Sequence, residues 1–199
     1  MQEINKELLN YLTGFSNINF IEKYIGFLSD SPIFFLPIFL VGAWIYNTYK
    51  KNDESSKLKE KEKLLFIFYS TVIALIISIT IQQFIDIERP ENYINSAGKL
   101  LMNHIPDASF PSDHATVSFA FLVSLFFAGY KYTGLIFFPF VIIMNISRVI
   151  AGVHWPFDIL AGAFVGILAS FITFKYIYKL EIIKKINKTI IKGMNYIKL

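Results

Sequence analysis

The sequence predicts an all-α fold: a polytopic membrane helix bundle of about five transmembrane helices, with an N-terminal interfacial helix or helices. Three observations carry that expectation. The chain of 199 residues is 54% hydrophobic and holds 21 phenylalanines. Its mean hydropathy of +0.49 is too apolar for an ordinary soluble domain of this size. Its apolar residues run continuously over helix-spanning lengths, with lysines gathered between and after the runs, and do not alternate as barrel strands would.

Taken in order, residues 1–31 space Leu, Tyr, Phe and Ile at helical intervals with charges between them. That is the pattern of helix lying in the membrane interface; a poor sixth span is the alternative. The opening MQEINKELLN is polar and mixed in charge, so no cleavable signal peptide is expected there. The five spans fall at 32–49, 64–85, 115–130, 132–148 and 157–178. A helix crosses the hydrocarbon with about 20 residues, within a range of roughly 17–25, and backbone groups in lipid must bond internally. The third and fourth spans are short and meet at a tight turn around Lys131 and Gly134. No repeat or Pro- or Gly-rich linker divides the chain, so 1–199 is expected to be one domain: interfacial region 1–31, membrane core 32–178 and basic tail 179–199. There is no cysteine, which excludes disulfides and thiolate metal sites.

Orientation follows from Lys and Arg. The stretch KKNDESSKLKEKEK carries six lysines, and the chain from Lys175 onward carries seven. With five crossings, both lie on the same side as Lys131, and that side is cytoplasmic by the positive-inside rule. Lys6, Lys23, Arg89, Lys99 and Arg148 fall on the other face, with the N-terminus and the long connection 86–114. The lysine-rich segments read as topological anchors in contact with anionic lipid. The net charge of +4 admits nucleic acid as a partner, but no aromatic-basic groove pattern lies outside the apolar runs, so none is expected.

Three polar clusters fall at helix ends on the outer face. ERPENY offers Arg89, FPSDHA offers Ser112, Asp113 and His114, and SRVIAGVHWPFDILAG offers Ser147, Arg148, His154 and Asp158. One bundle can gather them in space, and ionisable groups near a membrane core usually have work to do. Two arginines supply planar donor forks suited to phosphate oxygens. Two histidines can divide labour as nucleophile and acid. Asp158, four residues after His154, is close enough to accept its ring N–H and fix the tautomer. Pro156 suits a first helical turn, which puts His154 just before a helix and Asp158 in its opening turn. The start of the third span adds backbone N–H groups and a positive dipole end beside Ser112.

Each piece has a plainer use. Ser112 or Asp113 makes a good helix cap, His154 with Asp158 a structural pair, Arg148 an interfacial anchor and His104 a loop residue. A metal site competes for the His and Asp residues. The arginines would repel a cation, and no HExxH-like spacing occurs, so no metal and no cofactor are expected.

Together the three clusters resemble the type 2 phosphatidic acid phosphatase superfamily of membrane lipid phosphatases and related haloperoxidases. That family's pattern is Lys-x6-Arg-Pro, then Pro-Ser-Gly-His, then Ser-Arg-x5-His-x3-Asp. The third motif is complete here in Ser147, Arg148, His154 and Asp158; the second reads Pro111-Ser112-Asp113-His114; the first keeps Arg89-Pro90 but has Gln82 at the Lys position. The resemblance implies metal-independent phosphate release through a phosphohistidine. It implies attack by His154, orientation of His154 by Asp158, and proton transfer to the leaving oxygen and from water by His114. Arg89, Arg148, Ser112 and Ser147 would hold the phosphoryl oxygens, with Gln82 able to hydrogen-bond phosphate but not to balance its charge.

The Pro-Ser-Asp-His form resembles the bacterial BcrC-type undecaprenyl-diphosphate phosphatases associated with bacitracin resistance, which makes Asp113 a candidate substrate-preference residue. The expected substrate is a polyprenyl diphosphate, cleaved to the monophosphate in the bacterial cytoplasmic membrane. The site would be extracytoplasmic and the C-terminus cytoplasmic. A broader phosphatase acting on phosphatidylglycerophosphate or phosphatidate shares this site, and a lipid transporter is the alternative from another class. A soluble vanadium haloperoxidase would share the motifs, but the apolar spans argue against it.

Overall fold

The computed structural model describes residues 2–50, 53–90 and 108–197. His104, Lys99 and the part of the first cluster beyond Pro90 lie outside the described residues. Those described form eight α-helices: α1 Gln2–Thr13, α2 Asn19–Asp30, α3 Phe35–Lys50, α4 Glu54–Gln82, α5 Asp113–Phe127, α6 Lys131–Ile150, α7 Pro156–Lys175 and α8 Glu181–Tyr196. Helices α3 to α7 are the five expected apolar segments. Four stretches are long and apolar enough to cross a membrane, Asn19–Lys50, Glu54–Gln82, Lys131–Ile150 and Pro156–Lys179, and α5 is a shorter apolar helix among them.

The surface is apolar and the interior carries the hydroxyls. Ser70, Ser78, Thr116, Ser118, Ser124, Ser170 and Thr173 are fully buried, whereas Ile38, Leu135, Leu160 and Phe164 are exposed. Water would reverse that arrangement; hydrocarbon permits it, because small polar residues let helices approach and bond. Helix α5 is the hub, packed against α4, α6 and α7. On one side Phe121 meets Phe39 and Phe137 edge-to-face, with ring centroids 5.8 and 5.2 Å apart. On the other, Gly162 and Gly166 of α7 lie directly against the backbone of α5, and Ser170 Oγ donates to the Ala120 carbonyl at 2.7 Å.

Two elements extend beyond their expected bounds. Helix α4 begins at Glu54, not 64, because Asp53 caps it by accepting from Ser56 N at 2.9 Å. Lys57 and Lys63 then pair with Glu54 and Glu60 one turn back. Hydropathy marks where such a helix turns apolar, not where it starts. The basic tail is helix α8, which returns to α4: Asn187 Oδ1 accepts from Tyr69 Oη and Asn195 Oδ1 from Lys61 Nζ, both at 2.8 Å. At this end Tyr130 Oη also donates to Glu60 Oε2 at 2.5 Å. From Lys61 to Gln82, α4 rises about 30 Å, roughly the thickness of a hydrocarbon core. The motif residues gather at the Gln82 end.

Helices α1 and α2 pack onto that same end. Ile21 and Ile25 of α2 meet Ile150, Ala151 and Val153, and Asn5 Oδ1 accepts from Phe157 N at 3.1 Å.

Candidate active site

Three segments distant in sequence are tied together by backbone at the start of α5 and α7. Ser109 N donates to the Ile87 carbonyl at 2.8 Å, and Ser112 N to the Asp158 carbonyl at 3.2 Å. Trp155 Nε1 reaches the Glu88 carbonyl at 2.9 Å. Pro156 is the first residue of α7, and Asp158 in its opening turn accepts from Trp155 N at 2.8 Å. The sequence reading of this helix start, with His154 just outside it, matches the structure.

His154 sits at the centre. Its Nδ1 lies 3.1 Å from the Ser109 carbonyl oxygen and 3.5 Å from Asp158 Oδ2. A carbonyl only accepts, so Nδ1 carries the proton and Nε2 presents its lone pair. Asp158 is therefore near the ring, but the closer acceptor is Ser109, whose hydroxyl donates in turn to Asp158 Oδ2. Ser109 belongs to no motif, and its part here was not foreseen.

Both guanidinium groups converge on that buried lone pair. Arg89 Nη1 stands 3.4 Å and Arg148 Nη2 3.3 Å from His154 Nε2. Arg89 is anchored on the Val153 and Ala108 carbonyls at 3.1 and 3.4 Å. Arg148 Nη1 is anchored on Asp30 Oδ1 at 2.7 Å. Ser147 precedes Arg148 on α6 and is buried with it.

Ser112 occupies the N-cap position of α5, but its side chain makes no capping bond. The hydroxyl is fully buried without a partner among the described residues, and Arg148 Nε is in the same state. Buried polar atoms of this kind are uncommon, and here they flank a helix N-terminus. The N–H groups of Asp113 to Ala115 precede the first intrahelical bond, Thr116 N to the Ser112 carbonyl, so the positive end of α5 faces the site. The plainer alternative, Ser112 as a helix cap, is thus not what the structure shows, since its side chain makes no capping bond.

Asp113 is turned onto α4 instead. Its Oδ1 accepts from Ser78 Oγ at 2.7 Å and from Gln82 Nε2 at 2.8 Å. Gln82 Nε2 also donates to the Pro111 carbonyl at 2.9 Å, so both amide hydrogens are engaged within the protein. The two departures from the motif pattern, Gln82 and Asp113, touch each other and form one structural unit. A double-mutant cycle of Gln82→Ala and Asp113→Ala should then be non-additive in thermal stability, by about 1 kcal/mol. Additive losses in detergent would mean that the bond contributes nothing.

Helix α5 also brings His114 to the site, with Nε2 4.0 Å from Asp30 Oδ1. Asp30, on the N-terminal region, had no signal at all in motif spacing. Among the described residues no cluster of three or more His, Cys, Asp or Glu side chains could hold a metal ion.

The chain is similar to several known proteins. The family model described as PAP2 superfamily matches residues 63–182. The undecaprenyl-diphosphatase BcrC of Bacillus subtilis is 27% identical over 179 residues, covering 87% of this chain and 84% of that protein. A Bacillus licheniformis protein named bacitracin transport permease protein BcrC is 27% identical over 184 residues, covering 91% and 84%. Among solved structures, LpxE of Aquifex aeolicus superposes with a TM-score of 0.55 at 26% identity, over 87% of this chain and 96% of that one.

Proposed function

The chain belongs to the PAP2 superfamily and is a multi-pass membrane protein, and from that premise we propose that it hydrolyses undecaprenyl diphosphate to undecaprenyl phosphate and inorganic phosphate. The single observation that carries the reading is the placement of His154 Nε2 between two guanidinium groups, at 3.4 and 3.3 Å. A terminal phosphoryl group held by Arg89 and Arg148 presents its phosphorus to that lone pair. Ser112, Ser147 and the N-terminus of α5 supply further donors to the oxygens.

Nε2 attacks phosphorus, the bond to the bridging oxygen breaks, and His114 protonates that oxygen as the lipid monophosphate leaves. Water, deprotonated by His114, then attacks phosphorus and the P–N bond breaks, releasing phosphate and restoring His154. The proton on Nδ1 is held towards the Ser109 carbonyl, with Asp158 close by to balance the imidazolium charge. Transition-state charge on the phosphoryl oxygens is met by preorganised cations and N–H groups, the main demand of phosphoryl transfer. Gln82 contributes by holding Asp113 and the Pro111 carbonyl, and so the loop that carries Ser112.

A lipid substrate is supported by an apolar cavity of about 320 Å³ between α3, α5 and α6, lined by Pro32, Phe35, Phe39, Ser118, Phe137 and Met144 among others. Met144 lies one turn before Arg148 and Ser118 one turn after His114, so the groove leads from the polar end into the hydrocarbon region. A chain seated there leaves its diphosphate at the site. We read residues 1–199 as one phosphatase domain in a bacterial cytoplasmic membrane. The lysine-rich end with α8 is cytoplasmic, and the His154 end is extracytoplasmic. The product returns a lipid carrier to cell-wall synthesis.

The test is a substrate panel on the purified protein in detergent. Phosphate release should have its highest kcat/KM with undecaprenyl diphosphate, below it phosphatidylglycerophosphate and phosphatidate. Equal or faster turnover of phosphatidate would replace this reading with that of a broad lipid phosphatase.

A further inference from the structure

Among the described residues of the three motif segments, no acid is hydrogen-bonded to Arg148. One arrives from outside them. Asp30, the last residue of α2 and 1% exposed, accepts from Arg148 Nη1 at 2.7 Å, while the neighbouring Ser29 carbonyl accepts from the same nitrogen at 3.2 Å. The other terminal nitrogen, Nη2, is thereby left facing His154 Nε2 at 3.3 Å. The same Asp30 oxygen stands 4.0 Å from His114 Nε2. One carboxylate thus lies against the phosphate-holding arginine and beside the proton-transferring histidine. Helix α2 is held in place by Ile21 and Ile25, which pack on Ile150, Ala151 and Val153, the segment leading into His154. The family match begins at residue 63, so this acid comes from a part of the chain outside it.

We infer that Asp30 is a positioning residue of the phosphate site, fixing the Arg148 fork so that one nitrogen is anchored and the other meets the phosphoryl group between Arg148, His114 and His154. The inference rests on the hydrolytic reading above. A guanidinium is planar with donors in fixed directions, so anchoring Nη1 sets where Nη2 points. Arg148 Nε has no partner among the described residues and does not fix the plane. The other charged groups of the cluster are tied elsewhere: Asp113 to Ser78 and Gln82 on α4, and Arg89 to the Val153 and Ala108 carbonyls.

Positioning and simple electrostatics predict opposite results for Asp30→Asn, which keeps the shape, removes the charge and exchanges a charge-assisted bond to Arg148 for a weaker neutral one. A carboxylate acting only as negative charge near an anion site should, once neutralised, let oxyanions bind more tightly. A positioning carboxylate should, once neutralised, weaken them. The probes are orthovanadate, as a tetrahedral phosphate mimic measured by calorimetry, and turnover of undecaprenyl diphosphate. Asp30→Asn is expected to weaken vanadate binding about tenfold and lower kcat up to roughly 100-fold, the scale of a misplaced catalytic geometry, with KM changing less. Asp30→Glu should recover part of the loss. In an Arg148→Ala background, Asp30→Asn should cost little more, because its effect runs through that arginine.

Size exclusion and thermal melting establish that each variant is folded; Asp30→Ser, polar but too short to hold Arg148 Nη1 where Asp30 does, carries the comparison if Asp30→Asn does not fold. Gly42→Ala on α3, where nothing lies within 4 Å of an added Cβ, is the control and should leave vanadate affinity within about twofold. Wild-type protein that binds no vanadate and hydrolyses no lipid would overturn the functional reading, and this inference with it. An active wild type with Asp30→Asn binding vanadate equally or better, at unchanged kcat, would overturn the inference alone.

Discussion

Replacing His154 with alanine is expected to lower phosphate release by roughly 10⁴-fold or more, the scale seen when a covalent nucleophile is removed. That corresponds to about 5–6 kcal/mol in barrier height. The loss should be larger than for either arginine, since removing one good donor to a developing oxyanion costs roughly 2.7–4 kcal/mol. The geometry explains the ranking. In the proposed reading Arg89 and Arg148 share the phosphoryl group, so each leaves the other in place, whereas the lone pair they flank belongs to one atom, His154 Nε2. His154→Gln retains much of the bulk and should fold as the parent does, so the loss is chemical in origin. The same variant separates an enzyme from a lipid carrier using the same basic pocket. A carrier would keep moving lipid between leaflets of a vesicle without this nucleophile, while the phosphatase would lose its reaction. Hydrolysis by His154→Ala within tenfold of the parent would remove His154 as the attacking group.

What could be read from sequence follows from the range of each interaction. Spans were legible because a helix in lipid satisfies its backbone locally and advertises itself as a run of apolar residues. The motif residues were legible because they sit at fixed distances from helix ends, as Pro156 and Asp158 do at the start of α7. Ser109 and Asp30 were not. Each contributes through a contact distant in sequence, Ser109 with His154 and Asp30 with Arg148, and no periodicity encodes such a meeting. The Gln82–Asp113 bond was hidden in a different way. Both residues drew attention as departures from the motif, but only the packing of α4 against α5 reveals that they are one departure. The extension of α4 was missed because its first turns are built from charge pairs, which a hydropathy reading treats as loop.

The second large effect is expected far from the phosphate. A Cβ on Gly166 would lie 2.3 Å from the Thr116 carbonyl oxygen and 2.8 Å from Ala120 N, and one on Gly162 would lie 2.6 Å from the Ser112 carbonyl oxygen. These are backbone atoms inside helix α5 or at its start, so they cannot swing aside as a side chain would. Helices α5 and α7 must separate instead, and they are the two helices whose first turns build the site. Separation stretches the Ser112 N to Asp158 carbonyl bond of 3.2 Å and draws His154 away from Ser112. Gly166→Ala is expected to cost about 1–3 kcal/mol in stability, the usual scale of overpacking, and Gly166→Leu should not yield folded protein.

Activity in Gly166→Ala should fall further than stability alone requires, because Gly166 is about 12 Å along α7 from Asp158 and a tilt is amplified at the helix start. Thermal melting and phosphate release, measured on the same detergent preparation, test both halves of the prediction. Gly42→Ala serves as the control, since nothing lies within 4 Å of a Cβ at that position. If Gly166→Ala melts and turns over like the parent, then the close contact of α5 and α7 is not what aligns the nucleophile with its phosphate site.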